Sequence, residues 1–240
     1  MSSLEHFGPR VQATQSYPLI TRLLLWAGAV GPLLFVVVLL IEGATRPGYS
    51  AWQTFGSLLS LGDQGWIQIT NFIVCGLLTL GFAIGLRQVL HSGRGSIWGP
   101  ILLGIFGLLL ITAGIFVTDP GQGYPPGVAA LANPTGHGIV HALAGLVIFV
   151  TLPIATFVIT RRFLGDPNWK GWMLYSLLTG LIMLTSFIVS QWLGAVDPNA
   201  PQGLVQRIGI IDGWIWISLF ALALLRKGRA PEATVDSISR

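Results

Sequence analysis

The stretch HGIVHALAGLVIFVTLPIATFVI, residues 137–159, decides the fold class because it is long, apolar and free of acidic, lysine or arginine side chains. The hydrocarbon core of a bilayer is crossed by about 20 apolar residues in a helix. Backbone groups meet no water there, so a spanning segment must form its own hydrogen bonds as an α-helix. The stretch therefore predicts a transmembrane helix that carries two histidines, His137 and His141, one turn apart.

Similar apolar runs occur elsewhere in the chain, and charged residues are scarce. Only 9% of the residues are charged, against about 25% in soluble domains, and the mean hydropathy is +0.73. We therefore predict an all-α integral membrane protein, a bundle of six transmembrane helices in one domain at 23–225, between polar tails at 1–22 and 226–240. The first run is too long for a signal-peptide core and is predicted to be retained. The six spans are predicted at 23–41, 66–86, 97–117, 137–159, 172–193 and 204–225.

Basic residues mark one side of this bundle. The connections on the other side contain a single basic residue, Arg46. Since basic residues favour the cytoplasmic side, we predict a multi-pass protein of the plasma membrane with both termini in the cytoplasm. The pI near 9.7 then reflects orientation, and no nucleic-acid partner is expected. The basic residues on the side predicted to be cytoplasmic are Arg10, Arg22, Arg87, Arg94, Arg161, Arg162, Lys170, Arg226, Lys227 and Arg229.

The first outward connection, residues 42–65, contains a short amphipathic pattern. Trp52, Phe55 and Leu59 stand at i, i+3 and i+7, which predicts one apolar stripe on a short helix. Ser50 is a suitable N-cap. Such a helix would lie flat at the lipid–water boundary, either as a passive anchor or as a lid over a site.

Strongly polar side chains inside the spans concentrate in the outward halves, whereas the inward halves offer only small hydroxyls and Tyr175. An ionisable group in a span marks a possible functional site. At about 1.5 Å of rise per residue, Asp212 lies roughly 12 Å below the outer boundary. We predict a polar crevice that opens outward above an apolar plug. Its predicted residues are Glu42, Arg46, Asn71, Asp119, His137, His141, Gln191, Arg207 and Asp212.

The charged residues of the crevice are expected to find partners across helices. Arg207 and Asp212 are five residues apart and so lie on different faces of one helix. We expect Arg207 to meet Glu42 or Asp119, or to bind a phosphate or carboxylate head group. Arg46 is expected to anchor the chain at head-group level.

The histidine pair has two interpretations. The i, i+4 spacing puts both rings on one face, so His137, His141 and Asp119 could hold a zinc ion that activates water. However, the glutamate that follows the first histidine in zinc peptidases is absent here, where Gly138 stands. The alternative is that the histidines hydrogen-bond neighbouring helices or a ligand.

Several short motifs occur in a characteristic order: EGATRPGYS at 42–50, SLLSLG at 57–62, TDPGQGYPPG at 118–127, HGIVH at 137–141 and YSLLTG at 175–180. This order resembles the six-span membrane protein family catalogued as domain of unknown function 998, over about residues 20–226. The resemblance implies a prokaryotic six-helix membrane protein and implies no particular reaction.

Three functions follow from the sequence. The favoured one is a non-enzymatic protein that binds or senses an outer-leaflet lipid or other amphiphile and needs no cofactor. The alternative is a zinc-dependent intramembrane lipid hydrolase. A small-molecule transporter is favoured least, because the inward halves provide no ionisable path to the cytoplasm.

Overall fold

The structure is a computed structural model that describes residues 17–164 and 169–228. It confirms an all-α membrane protein with six helices long and apolar enough to span a bilayer, and these described residues form no strand. The predicted tails lie largely outside the described residues, as do Arg10 and Arg229. The helices are α1 Leu19–Thr45, α2 Gly65–Val89, α3 Trp98–Ile115, α4 Gly136–Phe163, α5 Lys170–Val196 and α6 Gln202–Lys227.

The six helices form a closed ring. Each helix packs against its neighbours in the sequence, and α6 returns to pack against α1. Small residues allow the closest approaches, as in other membrane bundles: a Cβ on Gly76 of α2 would lie 2.7 Å from the carbonyl oxygen of Gly107 on α3. We call the end with connections 46–64, 116–135 and 197–201 the loop end, and the opposite end the terminal end.

Large side chains fill the ring towards the terminal end. Phe82, Trp216 and Phe220 are buried there in one continuous apolar core. Trp214 lies above this core, with its ring stacked on Phe35 at 4.4 Å and edge-on to Phe106 at 5.5 Å between centroids. The predicted apolar plug is therefore present, and Trp214 forms its upper surface.

The outer surface of the ring is apolar. Leucines and isoleucines on every helix are more than a third exposed, among them Leu33, Leu77, Ile105, Leu146, Ile188 and Ile208. Apolar surface of this extent requires lipid rather than water around the bundle.

The first long connection differs from the predicted amphipathic helix. It makes a turn at residues 50–54, in which the backbone nitrogen of Gln53 lies 3.4 Å from the Ser50 hydroxyl oxygen. A 3₁₀ helix, Gly56–Ser60, follows the turn. Trp52 is 55% exposed whereas Leu59 is fully buried, so the two do not share one face. Residues 49–60, which we call the roof segment, thus bend into the loop end instead of lying flat on the bundle.

Candidate ligand cavity

A cavity of about 490 Å³ lies inside the ring at the loop end. This volume is within the range of sites for drug-sized ligands. All six helices contribute to its wall, and Phe55, Gly56 and Ser57 of the roof segment cover it. Most of the wall is apolar, including Phe35, Leu39, Phe72, Phe106, Leu110, Leu152, Met183, Ile210 and Trp214.

Gln68 of α2 is the most deeply buried polar residue of the wall. Its side chain is fully buried, and its Oε1 accepts a hydrogen bond of 3.2 Å from Nδ2 of Asn71. Asn71 Nδ2 also lies 3.2 Å from the carbonyl oxygen of Phe35. Nε2 of Gln68 has no partner in the described part of the chain. A buried donor without an acceptor costs about 1–3 kcal/mol, so a ligand that supplies an acceptor would bind favourably.

Gln206 of α6 joins the cavity wall to the roof segment. Its Oε1 accepts a 3.0 Å hydrogen bond from the backbone N–H of Gly56. This bond fixes the orientation of the amide and leaves Nε2 as a second donor in the wall. A Cβ on Gly56 would lie 2.8 Å from the Leu39 Cδ1 methyl, so a larger residue here would require the Leu39 side chain to move.

His141 of α4 completes the polar part of the wall. Its Nδ1 lies 3.0 Å from the carbonyl oxygen of Ala113 and 2.8 Å from that of Phe116. Carbonyl oxygens only accept hydrogen bonds, so Nδ1 carries the ring proton and donates a hydrogen bond to these carbonyls at the end of α3. In the neutral ring Nε2 is then an acceptor.

The cavity has its mouth between α4 and α5. Ala142 and Gln191 line the cavity and are exposed, and a Cβ on Gly145 would meet no atom within 4 Å. Nearer the terminal end the two helices close: a Cβ on Gly180 would lie 2.5 Å from the Thr156 hydroxyl oxygen. The most exposed part of the cavity wall therefore lies between α4 and α5, on the side of the bundle.

Arg46 and Glu42 form a buried ion pair at the end of α1, away from the cavity. Arg46 also donates to the carbonyl oxygens of Leu61 at 3.1 Å and Gln64 at 3.0 Å, and its Nη1 lies 3.4 Å from the Tyr124 hydroxyl. The prediction that Arg46 anchors the chain at head-group level is wrong. The residue is only 7% exposed and ties α1 to the start of α2.

Arg207 holds the roof segment on α6. Its Nη1 donates to the carbonyl oxygens of Ala51, Thr54 and Gly203, each at 2.9 Å, and its Nη2 donates to the Tyr49 hydroxyl. Burial raises the pKa of the Tyr49 phenol, which remains a donor, 3.0 Å from the carbonyl oxygen of Thr54. The predicted pairing of Arg207 with Glu42 or Asp119 is therefore wrong, since backbone carbonyls take the place of an acid.

Asp119 fixes the start of α4. Its carboxylate accepts hydrogen bonds from the backbone N–H and the hydroxyl of Thr135, at 2.8 and 2.6 Å, and Thr135 caps the helix through the N–H of Gly138. These bonds hold the pKa of the Asp119 carboxyl below its usual value. Asp119 thus serves the helix N-terminus, outside the cavity wall.

The predicted zinc ligands do not come together. His137 is exposed and packs on the ring of Phe116, with 5.2 Å between centroids, while Nδ1 of His141 is bonded to carbonyl oxygens. Within residues 17–164 and 169–228, no three His, Cys, Asp or Glu side chains are placed to hold a metal ion.

Asp212 faces α5 rather than the cavity. Its Oδ1 lies 3.5 Å from the Thr179 hydroxyl, and its buried Oδ2 has no partner in the described chain. Arg207 and Asp212 are thus on different faces, as their spacing predicts. Of the nine predicted crevice residues only His141 and Gln191 line the cavity. The predicted crevice of converging charges is replaced by a cavity with an uncharged wall.

Gln68 and Gln206, the two buried glutamines of the wall, are absent from the predicted crevice residues. The sequence does contain a signal for both. Gln206, Ile210 and Trp214 follow one another at i, i+4 and i+8, and Gln68 is followed by Phe72 at i+4. A glutamine in register with buried aromatic residues on one helix face is typical of an inward-facing polar group.

Comparison with protein families gives a match to the family described as "Protein of unknown function (DUF998)" over residues 29–223. Neither curated proteins nor solved structures give a match. The matched range begins within α1 and ends within α6, so it contains the cavity and both arginine networks. With this match over most of its length and six helices fit to span a bilayer, the chain belongs to the DUF998 family of membrane proteins.

Proposed function

We propose that the protein binds or senses an amphiphile of the outer leaflet, which reaches the loop-end cavity through the gap between α4 and α5. The observation that carries this proposal is the sideways mouth of an apolar cavity. A water-soluble ligand would need an opening towards water, but here Phe55, Gly56 and Ser57 cover the cavity at the loop end. An acyl chain would pass from lipid into the cavity without crossing water, which favours its binding.

The proposal places the protein in the plasma membrane of a prokaryotic cell, with the loop end outside and both termini in the cytoplasm. Basic residues support this orientation: Arg87, Arg161, Arg162 and Arg226 are all at the terminal end. At the loop end, Arg46 and Arg207 are buried in protein contacts. No cofactor takes part in the proposed binding.

Labelling of single cysteines tests this orientation. In the Cys75→Ala background, a cysteine near Gly123, at Ala129, or one at Asn199 should react with an impermeant thiol reagent applied to intact cells, since both substituted positions are exposed at the loop end. A cysteine at Ser92, exposed at the terminal end, should react only after the cells are opened. Reaction of Ser92→Cys in intact cells would contradict the orientation.

The substitution Gly145→Trp tests the proposed binding directly. A Cβ at Gly145 would meet no atom within 4 Å, so a side chain can begin there without a clash, and an indole attached to it should fill the mouth. We expect the fraction of purified protein that carries a bound amphiphile, measured by native mass spectrometry, to fall about tenfold or more. The temperature of unfolding should stay close to that of the wild type.

Gly171→Trp is the matched control. A Cβ on Gly171 would also meet no atom within 4 Å, and the residue lies near the start of α5, away from the cavity. This variant should retain the amphiphile. Equal occupancy in the two variants would show that amphiphiles bind elsewhere on the protein surface.

A further inference from the structure

The wall of the loop-end cavity contains no charged side chain that could pair with a charged ligand. None of the described residues in its wall is Asp, Glu, Lys or Arg. Both nearby arginines have other partners: Arg46 pairs with Glu42, and Arg207 donates to three backbone carbonyls and Tyr49. Burial of a phosphate or carboxylate without a counter-charge is strongly unfavourable. The head group that enters this cavity must therefore be neutral.

The polar atoms of the wall specify hydrogen-bonding groups that the ligand should carry. Nε2 of Gln68 is a donor without a partner in the described chain, and Nε2 of Gln206 is a donor whose amide is fixed by the Gly56 N–H. Nε2 of His141 is an acceptor, because Nδ1 donates to Ala113 and Phe116. A carbonyl oxygen would satisfy the donors, and a hydroxyl would donate to the histidine.

We propose that the ligand is an uncharged acyl lipid with an ester or amide carbonyl next to a free hydroxyl, of the monoacylglycerol type. Its carbonyl oxygen accepts from Gln68 and Gln206, its hydroxyl donates to His141, and its chain leaves between α4 and α5 beside Leu146. This inference rests on the proposed function, since it assumes that the cavity takes an amphiphile. It replaces the arginine-bound anionic head group that the sequence suggested.

Two probes with the same oleoyl chain and glycerol ester test the inference: 1-monooleoylglycerol and 1-oleoyl-lysophosphatidate, which differ by the phosphate. Each is titrated into the purified full chain in detergent, and the bound fraction is measured by native mass spectrometry. We expect monooleoylglycerol to bind at least about tenfold more tightly. Gln68→Leu should weaken its binding about tenfold or more, because the carbonyl loses a buried donor.

The stability of the same variant separates a ligand contact from a structural role. Gln68→Leu removes the bond from Asn71 Nδ2 to Gln68 Oε1, but it also removes the unpartnered Nε2, and Asn71 keeps its bond to the Phe35 carbonyl. Because these effects oppose each other, the unfolding temperature of the ligand-free protein should change little. Gln64→Leu, the same change at an exposed residue outside the cavity wall, is the matched control and should change affinity little.

The outcomes separate this inference from the proposed function. Tighter binding of lysophosphatidate, or unchanged affinity in Gln68→Leu, would overturn the neutral-lipid inference, while loss of amphiphile in Gly145→Trp would still support the proposed function. If neither probe binds and Gly145→Trp keeps its bound amphiphile, both are wrong.

Discussion

Replacement of Arg207 by leucine is expected to lower the temperature of unfolding by roughly 10 °C, which corresponds to about 4 kcal/mol in a chain of this size. The guanidinium donates to the carbonyl oxygens of Ala51, Thr54 and Gly203. Without it these buried acceptors lose a charged donor, and the roof segment loses its main attachment to α6. Unfolding is followed by the reaction of a fluorogenic thiol reagent with Cys75, a free cysteine that is fully buried in the folded protein.

Two further variants make this prediction specific. Arg161→Leu, at an exposed arginine near the end of α4, should leave the unfolding temperature almost unchanged. Arg207→Lys should recover little of the lost stability, because an ammonium group lacks the planar fork that reaches several acceptors. Full recovery by lysine would show that a positive charge alone is required and would contradict the carbonyl network.

Removal of Glu42 is expected to have the second largest effect. Glu42→Leu leaves the Arg46 guanidinium buried without its counter-charge. Breaking a buried ion pair in this way costs about 3–5 kcal/mol, which should again lower the unfolding temperature measured through Cys75. The connection between α1 and α2 should loosen, since Arg46 also holds the carbonyl oxygens of Leu61 and Gln64.

A double-mutant cycle isolates the pair. The loss in Glu42→Leu/Arg46→Leu should be smaller than the sum of the two single losses, with a coupling of about 0.5–3 kcal/mol. The same cycle with Glu42→Leu and Arg207→Leu should be closer to additive, because no hydrogen bond or ion pair joins these two side chains in the described structure. Strong coupling of Glu42 to Arg207 would restore the pairing expected from the sequence.

The fold could be predicted from the sequence because lipid imposes a simple rule. Residues 137–159 had to form a helix, and α4 occupies Gly136–Phe163. The N-cap of α4 was also predictable, because threonine is favoured at that position and Thr135 stands just before the apolar run. In the structure its hydroxyl accepts a hydrogen bond from the Gly138 N–H at 3.0 Å. Each element of this kind depends on local sequence only.

The partners of the charged residues could not be predicted in the same way. The predicted depth of Arg207 in the membrane favoured an ion pair with an acidic residue. Its guanidinium instead donates hydrogen bonds to the backbone carbonyl oxygens of Ala51 and Thr54. Every residue type has that carbonyl, so no sequence signal distinguishes these two positions. The pair Glu42–Arg46 is separated by four residues and was recognisable from its spacing.

The roof segment shows a second limit. The i, i+3, i+7 pattern of Trp52, Phe55 and Leu59 predicts a surface helix, yet Leu59 is fully buried and Phe55 lines the cavity. The sequence left two roles open for this segment, a passive membrane anchor or a lid over a site. The observed contacts agree better with a lid. Tertiary contacts to Gln206 and Arg207 override the local pattern here.

The most direct test of the central claim is to map where an acyl chain lies when the protein is in a bilayer. A monoacylglycerol with a diazirine in its chain is incorporated into proteoliposomes, activated by light, and its adducts are located by mass spectrometry. We expect adducts on residues inside the ring, such as Phe72, Phe106 and Trp214, and their loss in Gly145→Trp. Adducts confined to the outer surface, at residues such as Leu77, Ile105 and Ile188, would contradict the entry of a lipid chain into the bundle.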